Sequence, residues 1–206
     1  MNIVIVDYGM GNLGSIQNML KRIGCPSSAT SDPAEIARAD KIILPGVGAF
    51  DGGMRRLTEL GLVQVLNEKA LQKGTPVLGV CLGMQLLTRR SEEGSLPGLG
   101  WIDGDTVRFR FEPKDSKLKV PHMGWNTVSV RQPGTLFRDV SGEARYYFVH
   151  SYHVVCNDPK DVLTTTEYGY PFVSAIERGT IMGAQFHPEK SHRFGMAVLK
   201  NFAESR

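Results

Sequence analysis

A lone cysteine stands between two glycines where a predicted strand meets a predicted helix. The apolar run 76–78 is followed by Gly79-Val80-Cys81-Leu82-Gly83, and residues 82–87 have helical character. A Gly-x-nucleophile-x-Gly sequence in this setting is typical of a nucleophile elbow, a sharp turn that lifts the side chain above the sheet edge. The helix N-terminus favours the thiolate of Cys81, which is the form that attacks a carbonyl carbon. A buried structural cysteine is the competing interpretation.

A thiol nucleophile needs a general base, and the base needs a group that orients it. We select His187 because it follows a predicted strand and lies two residues before Glu189, with the rigid Pro188 between them. The Glu189 carboxylate can then accept from one ring nitrogen and leave the other facing the thiol. As an isolated residue, His187 could equally be a histidine of the core or of a turn.

The remaining four histidines are weaker candidates. His150 and His153 are three residues apart in one predicted strand, so their side chains are expected on opposite faces, which disfavours a metal pair. His192 is predicted to lie on the surface in a polar turn, and His122 belongs to a motif described below. We predict no metal site.

A second glycine-rich loop follows another predicted strand, at Leu44-Pro45-Gly46-Val47-Gly48-Ala49-Phe50. A tight turn and a phosphate site are two interpretations, because backbone amides in such loops can face an anion. A third fits a nucleophilic thiol better. Elbow enzymes take one oxyanion donor from the amide after the nucleophile, here Leu82, and the other from a neighbouring strand–helix loop. We predict Val47 as that second donor, with Gly46 and Gly48 allowing its peptide to reorient.

A dinucleotide-binding motif competes for the same chain. Gly9-Met10-Gly11-Asn12-Leu13-Gly14 is a G-x-G-x-x-G sequence between a strand and a helix, and Asp32 lies where a ribose-binding acid is expected. However, Asp7 and Tyr8 separate the strand from the first glycine, and Asp32 before Pro33 suits a helix N-cap. An oxidoreductase of this kind would also need a separate substrate domain of about 100 residues.

The elements that must position these residues alternate between strands and helices in the first half of the chain. Strands are predicted at Ile3–Val6, Ser27–Thr30, Lys41–Leu44 and Val77–Val80. Helices are predicted at Leu13–Ile23, from Asp32-Pro33 to Ala39, and from Asp51 to Lys73 with an interruption at Gly61. This order predicts an α/β fold with a doubly wound, mostly parallel sheet, whose ligands bind beyond the carboxyl ends of the strands.

The second half of the chain is richer in short strands separated by turn residues. Strands are predicted at Thr106–Phe111, Asn126–Val130, Tyr146–Val149, His153–Cys156, Leu163–Glu167, Val173–Glu177 and Ile181–Gln185. We interpret them as an antiparallel β layer added to the same domain, closed by a helix at Phe194–Phe202. The prediction is a single domain spanning residues 1–206.

Composition narrows the class of protein. With 206 residues, 41% hydrophobic and 22% charged residues, the chain suits one globular domain. A net charge of +3 without a long basic run gives no reason to expect nucleic acid. Three scattered cysteines argue against a disulfide framework, and we see no signal peptide and no apolar run of about 18 residues. We therefore expect a cytoplasmic protein that does not act in the membrane.

Three blocks of the sequence resemble those of the class I glutamine amidotransferases. They are Pro45-Gly46-Val47-Gly48, Gly79-Val80-Cys81-Leu82-Gly83-Met84-Gln85 and Phe186-His187-Pro188-Glu189-Lys190-Ser191. Two further blocks resemble the subfamily of glutaminase subunits of imidazole glycerol phosphate synthases, in histidine biosynthesis. These are Asp7-Tyr8-Gly9-Met10-Gly11-Asn12 and Pro121-His122-Met123-Gly124-Trp125-Asn126. The similarity extends from the first strand to the closing helix.

The resemblance implies that L-glutamine is hydrolysed to glutamate and ammonia through a cysteine thioester. Cys81 would be the nucleophile, His187 would transfer protons, and Glu189 would orient His187. The residues implied to bind glutamine are Gly46, Gln85, Glu93, Ser151 and Tyr152. Gln85 lies one helical turn beyond Cys81 on the same face. Surface or packing roles compete for the last three.

A partner is also implied, and no cofactor. In this subfamily a separate (β/α)8 cyclase forms a heterodimer with the glutaminase and receives its ammonia through a channel. Asn12 and Trp125 are our interface candidates, although Trp125 could instead lie in the core. A paralogous glutaminase that feeds the amidation of a surface-polysaccharide sugar is an alternative, and residues 108–116 do not distinguish the two. A catalytically silent binding subunit is a third interpretation, which the complete set of catalytic residues disfavours.

Overall fold

The sheet of this protein is built from short strands that occur throughout the chain. The computed structural model describes residues 1–112, 118–138 and 142–205. Twelve strands occur in these ranges, numbered β1 to β12: Ile3–Val6, Ser27–Thr30, Lys41–Leu44, Val77–Val80, Arg90–Ser91, Gly104–Arg108, His122–Val130, Ala144–His150, Tyr152–Cys156, Val162–Glu167, Pro171–Arg178 and Ile181–Ala184. Residues 113–116 of the segment 108–116 lie outside the described part of the chain.

The strands form a sheet with a parallel and an antiparallel part. The parallel part has the order β2-β1-β3-β4-β12. The antiparallel part continues from β12 in the order β11-β10-β7-β8. A branch leaves β11 through β9, which pairs with β6, and β6 pairs with the two-residue β5. The α/β fold class with an added antiparallel region is therefore confirmed.

Helices cover both faces of the parallel strands. Six α-helices occur in the described ranges, numbered α1 to α6: Leu13–Arg22, Pro33–Ala37, Phe50–Glu59, Leu62–Asn67, Leu82–Leu86 and His192–Ala203. A π-helical segment at Glu68–Gln72 continues α4. The starts of the α-helices follow from local sequence. The Asn12 side chain accepts from the Ser15 amide to cap α1, and Asp32 accepts from the Ala34 amide, with Pro33 in the first turn of α2. Gly61 has φ +67°, which separates α3 from α4 at the predicted position.

Two hydrophobic clusters lie on opposite faces of the sheet. Because successive strand residues point to opposite faces, Ile3 and Ile5 belong to one cluster and Val4 and Val6 to the other. The first cluster includes side chains of α1 and α6, and the second includes side chains of α2, α3 and α4. This burial on both faces explains why β1 and β4 are apolar throughout and why β3 is apolar after Lys41.

The structure differs from the predictions of local structure at several points. The segment at residues 181–185 was assigned to the antiparallel layer, but β12 is parallel to β4, because the tight β11–β12 hairpin returns it beside the parallel strands. His150 and His153 do not share a strand, since β8 ends at His150 and β9 begins at Tyr152. The two-residue β5 was not predicted, because a strand of that length has no periodicity to detect.

None of the helices in the described ranges combines the length and the apolar character needed to cross a bilayer.

Candidate active site

Cys81 lies at the carboxyl end of β4 in a strained backbone conformation. Its φ of 54° and ψ of −110° are unusual for a residue with a side chain. The conformation is held by close packing, because a Cβ at Gly83 would lie 1.8 Å from the Leu44 carbonyl oxygen and one at Gly79 would lie 2.7 Å from the Gly83 carbonyl oxygen. Glycines on both sides of the cysteine therefore let α5 approach the strands, as an elbow requires.

The end of β12 brings His187, the predicted base, to the same edge of the sheet. Ala184 pairs with Val80, and the Cys81 amide donates to the Ala184 carbonyl at 2.8 Å. His187 follows three residues later, and its amide donates to the Tyr147 carbonyl at 2.9 Å. The predicted convergence of Cys81 and His187 at strand ends thus has a direct cause in the pairing of β4 with β12.

His187 and Glu189 form a buried pair. The Nδ1 atom of His187 lies 2.8 Å from Oε1 of Glu189, and both side chains are 2% exposed. Nε2 of His187 has no hydrogen-bond partner among the described residues. Burial lowers the pKa of His187, but the Cys81 sulfur and the Glu189 carboxylate outweigh burial and raise it to about 9. The ring is therefore able to accept and hold a proton.

A cavity of about 270 Å³ opens in front of these residues. Nine of the predicted site residues line it, and seven of these are Val47, Gly48, Cys81, Leu82, Gln85, Glu93 and His187. Ser151 and Tyr152 line it as well. The larger depression, of about 700 Å³, lies on α3 and α4 and touches none of the predicted site residues.

Two predicted site residues, Gly46 and Glu189, do not line the cavity. Glu189 contacts His187, which does line it. Gly46 is enclosed, because a Cβ there would lie 2.6 Å from the Tyr8 hydroxyl and 2.8 Å from Cβ of Leu82. Its carbonyl accepts from the Leu82 amide at 3.3 Å. One of the two predicted oxyanion donors is therefore occupied by the glycine-rich loop itself.

Glu93 has a structural partner in addition to its place at the cavity. Its Oε2 atom accepts from the Phe50 amide at 2.8 Å, at the N-terminus of α3. The carboxylate is favourably placed there, because helix N-termini attract negative charge. Glu93 thus joins α3 to the cavity rim.

Five further residues near the cysteine were not predicted. Pro121, Val149, His150 and Lys190 line the cavity, and Gln185 is buried against the Cys81 sulfur. Lys190 directly follows Glu189 in the sequence and could have been selected on that ground. Gln185 immediately precedes the sequence block that begins at Phe186. However, the sequence of a strand does not indicate whether a glutamine at its end points toward the cavity or away from it.

The two interface candidates lie on the surface, outside the cavity. Trp125 on β7 is 40% exposed and stacks on His192, with ring centroids 5.4 Å apart and planes 3° apart. The neighbouring Met123 is 62% exposed, so the first half of β7 presents two large apolar side chains close together. Asn12 is exposed and also caps α1. The core interpretation of Trp125 is wrong.

The first glycine-rich motif supports the second. A Cβ at Gly11 would lie 3.0 Å from Cβ of Pro45, and the Tyr8 hydroxyl donates to the Pro45 carbonyl at 2.5 Å. Asp32 is used as a helix cap, as its sequence context indicated. These contacts account for the motif without a dinucleotide.

Within the described ranges, no group of three or more His, Cys, Asp or Glu side chains is arranged to hold a metal ion.

Comparison with known proteins places these features in a family. The family model for glutamine amidotransferase class-I matches residues 4–205. Imidazole glycerol phosphate synthase subunit HisH 2 of Methanococcus maripaludis is 54% identical over 97% of this chain and 98% of its own. The protein of the same name from Pseudomonas aeruginosa is 53% identical over 98% of both chains.

Solved structures agree at the level of the fold. PurLQS from Thermotoga maritima matches with a TM-score of 0.72 at 19% identity, covering 98% of this chain and 96% of that one. A glutamine amidotransferase from Thermotoga maritima matches with a TM-score of 0.70 at 17% identity, covering 100% and 99%. At such identities the likeness concerns the fold alone.

Proposed function

The chain belongs to the class I glutamine amidotransferase family, and we propose that it is the glutaminase subunit of an imidazole glycerol phosphate synthase. It hydrolyses L-glutamine to glutamate and supplies the ammonia to a separate cyclase subunit in histidine biosynthesis. The observation that carries the proposal is the convergence of Cys81, His187 and the buried Glu189 at one small cavity. The names of the relatives at 53% and 54% identity support the pathway.

The chemistry follows from these three side chains. The Cys81 thiolate attacks the carboxamide carbon of glutamine, and protonation by His187 allows ammonia to leave. A γ-glutamyl thioester remains on the sulfur. His187 then takes a proton from water, which attacks the thioester and releases glutamate and the thiolate. Glu189 holds the ring orientation through Nδ1 and stabilises the imidazolium.

The oxyanion hole must be assembled by the loop at Gly46–Gly48. The Leu82 amide donates to the Gly46 carbonyl, so this carbonyl has to move before Leu82 can donate to a tetrahedral intermediate. We propose that a rotation of the peptide at Val47 accompanies this movement, and that the loaded cyclase favours it. Low activity of the isolated subunit follows. Gly48, with φ +132°, allows such a rotation.

A substitution at Gly48 tests the movement. Proline fixes φ near −65°, so Gly48→Pro is expected to lose nearly all cyclase-stimulated glutaminase turnover. Cys81 alkylation by iodoacetamide monitors the integrity of the elbow in the same variant. Full stimulated turnover in Gly48→Pro would contradict a loop rearrangement.

The partner is proposed from the surface as well as from the family. Ammonia is protonated in water, so it must pass directly into a second active site. Pro121 lines the cavity, and Met123 and Trp125 are exposed on the strand that follows it. We propose that β7 and Asn12 contact a (β/α)8 cyclase chain in a heterodimer. A cytoplasmic location is part of the same proposal, supported by three free cysteines.

The decisive experiment measures glutamate release from glutamine with and without the purified cyclase and its nucleotide. Strong stimulation by the loaded cyclase is expected, and the Cys81→Ala variant should abolish it. Thiol-dependent release that ignores the cyclase would reject the histidine pathway in favour of another acceptor, such as a sugar-amidating synthase. Release that persists in Cys81→Ala would reject the nucleophile.

A further inference from the structure

Gln185 is buried beside the reactive sulfur, and no step of the mechanism above uses it. Its side chain is 0% exposed, and its Nε2 atom lies 3.8 Å from Sγ of Cys81. The backbone N–H of Gln185 donates to the Ser174 carbonyl at 2.9 Å, which fixes the backbone at the end of β12. A buried carboxamide is costly unless its polar atoms are paired, so its contacts define what it does.

The orientation of this carboxamide is determined by Gln85 and Tyr152. The Tyr152 carbonyl can only accept, so Gln85 directs its NH₂ group to it, at 3.1 Å. The same NH₂ group lies 3.0 Å from Oε1 of Gln185 and donates its second hydrogen there. The oxygen of Gln185 therefore faces Gln85, and its NH₂ group faces the sulfur.

The Tyr152 carbonyl is itself held by a second donor. Nδ1 of His150 lies 2.7 Å from it and must donate. Nε2 of His150 then accepts from Nδ1 of His122 at 3.0 Å, and Nε2 of His122 accepts from the Asn126 amide at 3.2 Å. Burial lowers the pKa of His122 to about 4 and that of His150 well below its usual value, so both rings are neutral. Donors and acceptors thus have a single consistent assignment from Asn126 to the sulfur.

The other groups near the Cys81 sulfur show why a hydrogen-bond donor there would stabilise the thiolate. The Val149 carbonyl lies 4.0 Å from Sγ and can accept from a thiol but offers nothing to a thiolate. The titratable groups around the sulfur are His187 and Tyr8, together with Glu93, His150, Tyr152 and Lys190, which line the same cavity. Burial holds the pKa of Tyr8 above its usual range, so its hydroxyl stays neutral and donates to the Pro45 carbonyl. Gln185 is therefore a neutral N–H donor directed at the position where negative charge forms.

We propose that Gln185 is a further residue of the catalytic machinery, whose side-chain N–H stabilises the Cys81 thiolate together with the imidazolium of His187. The same contact favours the thiolate as the leaving group when water cleaves the thioester. Gln85 has a second role in this assignment, because it fixes the Gln185 carboxamide while lining the cavity. The inference rests on the proposed role of Cys81 as nucleophile.

The test is the pH dependence of Cys81 alkylation by iodoacetamide in the isolated full-length subunit. Gln185→Met removes the donor and keeps the length of the side chain. We expect the midpoint of the alkylation profile to rise by about half a pH unit or more, because a hydrogen bond to a charged group is lost. Gln85→Met leaves Gln185 in place but frees its carboxamide to rotate, and a smaller rise is expected.

Asn201→Leu is the matched control. Asn201 is also a buried amide, donating to the Leu136 carbonyl at 3.1 Å, so its loss should lower the melting temperature without moving the alkylation midpoint. An unchanged midpoint in Gln185→Met overturns the proposal. If Gln185→Met does not fold, an unchanged alkylation midpoint in Gln85→Met overturns the proposal instead. Alkylation needs no glutamine, so this outcome is distinct from failure of the proposed glutaminase function.

Discussion

At the scale of single residues, the site depends on a cysteine that its backbone does not favour. A side chain at φ 54° and ψ −110° costs about 1–3 kcal/mol, and the surrounding strands must supply that energy. The strain presents the sulfur to the cavity rather than to the core. Function and stability therefore oppose each other at Cys81.

This opposition predicts an order of stability for two variants that lack the thiol. Cys81→Gly should be about 1 kcal/mol more stable than Cys81→Ala, because glycine adopts positive φ without strain. This difference already allows for the larger entropy of glycine in the unfolded chain, which favours unfolding. Urea denaturation of the two variants measures the difference. Equal stabilities, or a more stable alanine variant, would show that the backbone is not strained.

The His187–Glu189 pair predicts a pH-dependent contribution to stability. The Cys81 sulfur and the Glu189 carboxylate together raise the pKa of His187 from its ordinary 6.5 to about 9, so the stabilisation is complete below about pH 6.5 and is lost as the pH rises through about 9. Glu189→Gln keeps the hydrogen bond but removes the charge. The melting temperature of this variant should fall furthest below that of the wild type at about pH 6, and the gap should close above about pH 9.

A surface carboxylate provides the control for that measurement. Glu59 pairs with Arg56 at 3.1 Å and is half exposed, so Glu59→Gln should give a small difference in melting temperature across the same pH range. If the difference in melting temperature between Glu189→Gln and the wild type does not change with pH, the Glu189 carboxylate does not stabilise the charged ring of His187.

At the scale of elements, the approach of α5 to the parallel strands is the feature that creates the elbow. A Cβ at Gly83 would meet the Leu44 carbonyl oxygen at 1.8 Å, and backbone atoms cannot yield as a flexible side chain can. Gly83→Ala is expected to lower the free energy of unfolding by about 3 kcal/mol. It should also displace Cys81 from the cavity, so that iodoacetamide no longer alkylates it.

Gly14→Ala is the matched control for Gly83→Ala. Gly14 lies in α1, and a methyl group added there would have nothing within 4 Å of it, so alanine should be neutral or stabilise by up to about 1 kcal/mol. Urea denaturation compares the two variants directly. A Gly83→Ala variant as stable as Gly14→Ala would mean that the helix can move away from β3.

Most parallel strands that position the proposed catalytic side chains were predictable from the sequence, for identifiable reasons. The strands β1, β3 and β4 are short and, apart from Lys41, without charged or polar side chains, and their predicted bounds are those observed. The bounds of β6 and β7 were missed by several residues, because half-exposed strands have weaker patterns. The contacts of Gln185 could not be predicted, since they depend on which strand lies beside β4.

At the scale of the whole molecule, β7 is predicted to be part of the contact with the cyclase. Trp125→Ala should weaken cyclase binding about tenfold or more, because large aromatic side chains dominate interfaces. Alkylation of Cys81 in the isolated subunit should be unaffected. Titration calorimetry with the purified cyclase measures the change.

Val155→Ala is the control for that surface. Val155 is 44% exposed, close to the exposed fraction of Trp125, but it lies on β9. Its replacement should leave cyclase binding unchanged. Unaltered binding by Trp125→Ala would place the interface elsewhere.

The environments of the two tryptophans have a spectroscopic consequence. Trp101 is 3% exposed and donates to Asn67 at 2.7 Å, whereas Trp125 is 40% exposed and stacked on His192. Their emission should therefore separate into a blue component, insensitive to solvent quenchers, and a red component that acrylamide quenches. Covering β7 would shift only the red component. The protein thus carries a fluorescent reporter of complex formation and an internal reference, with no label attached.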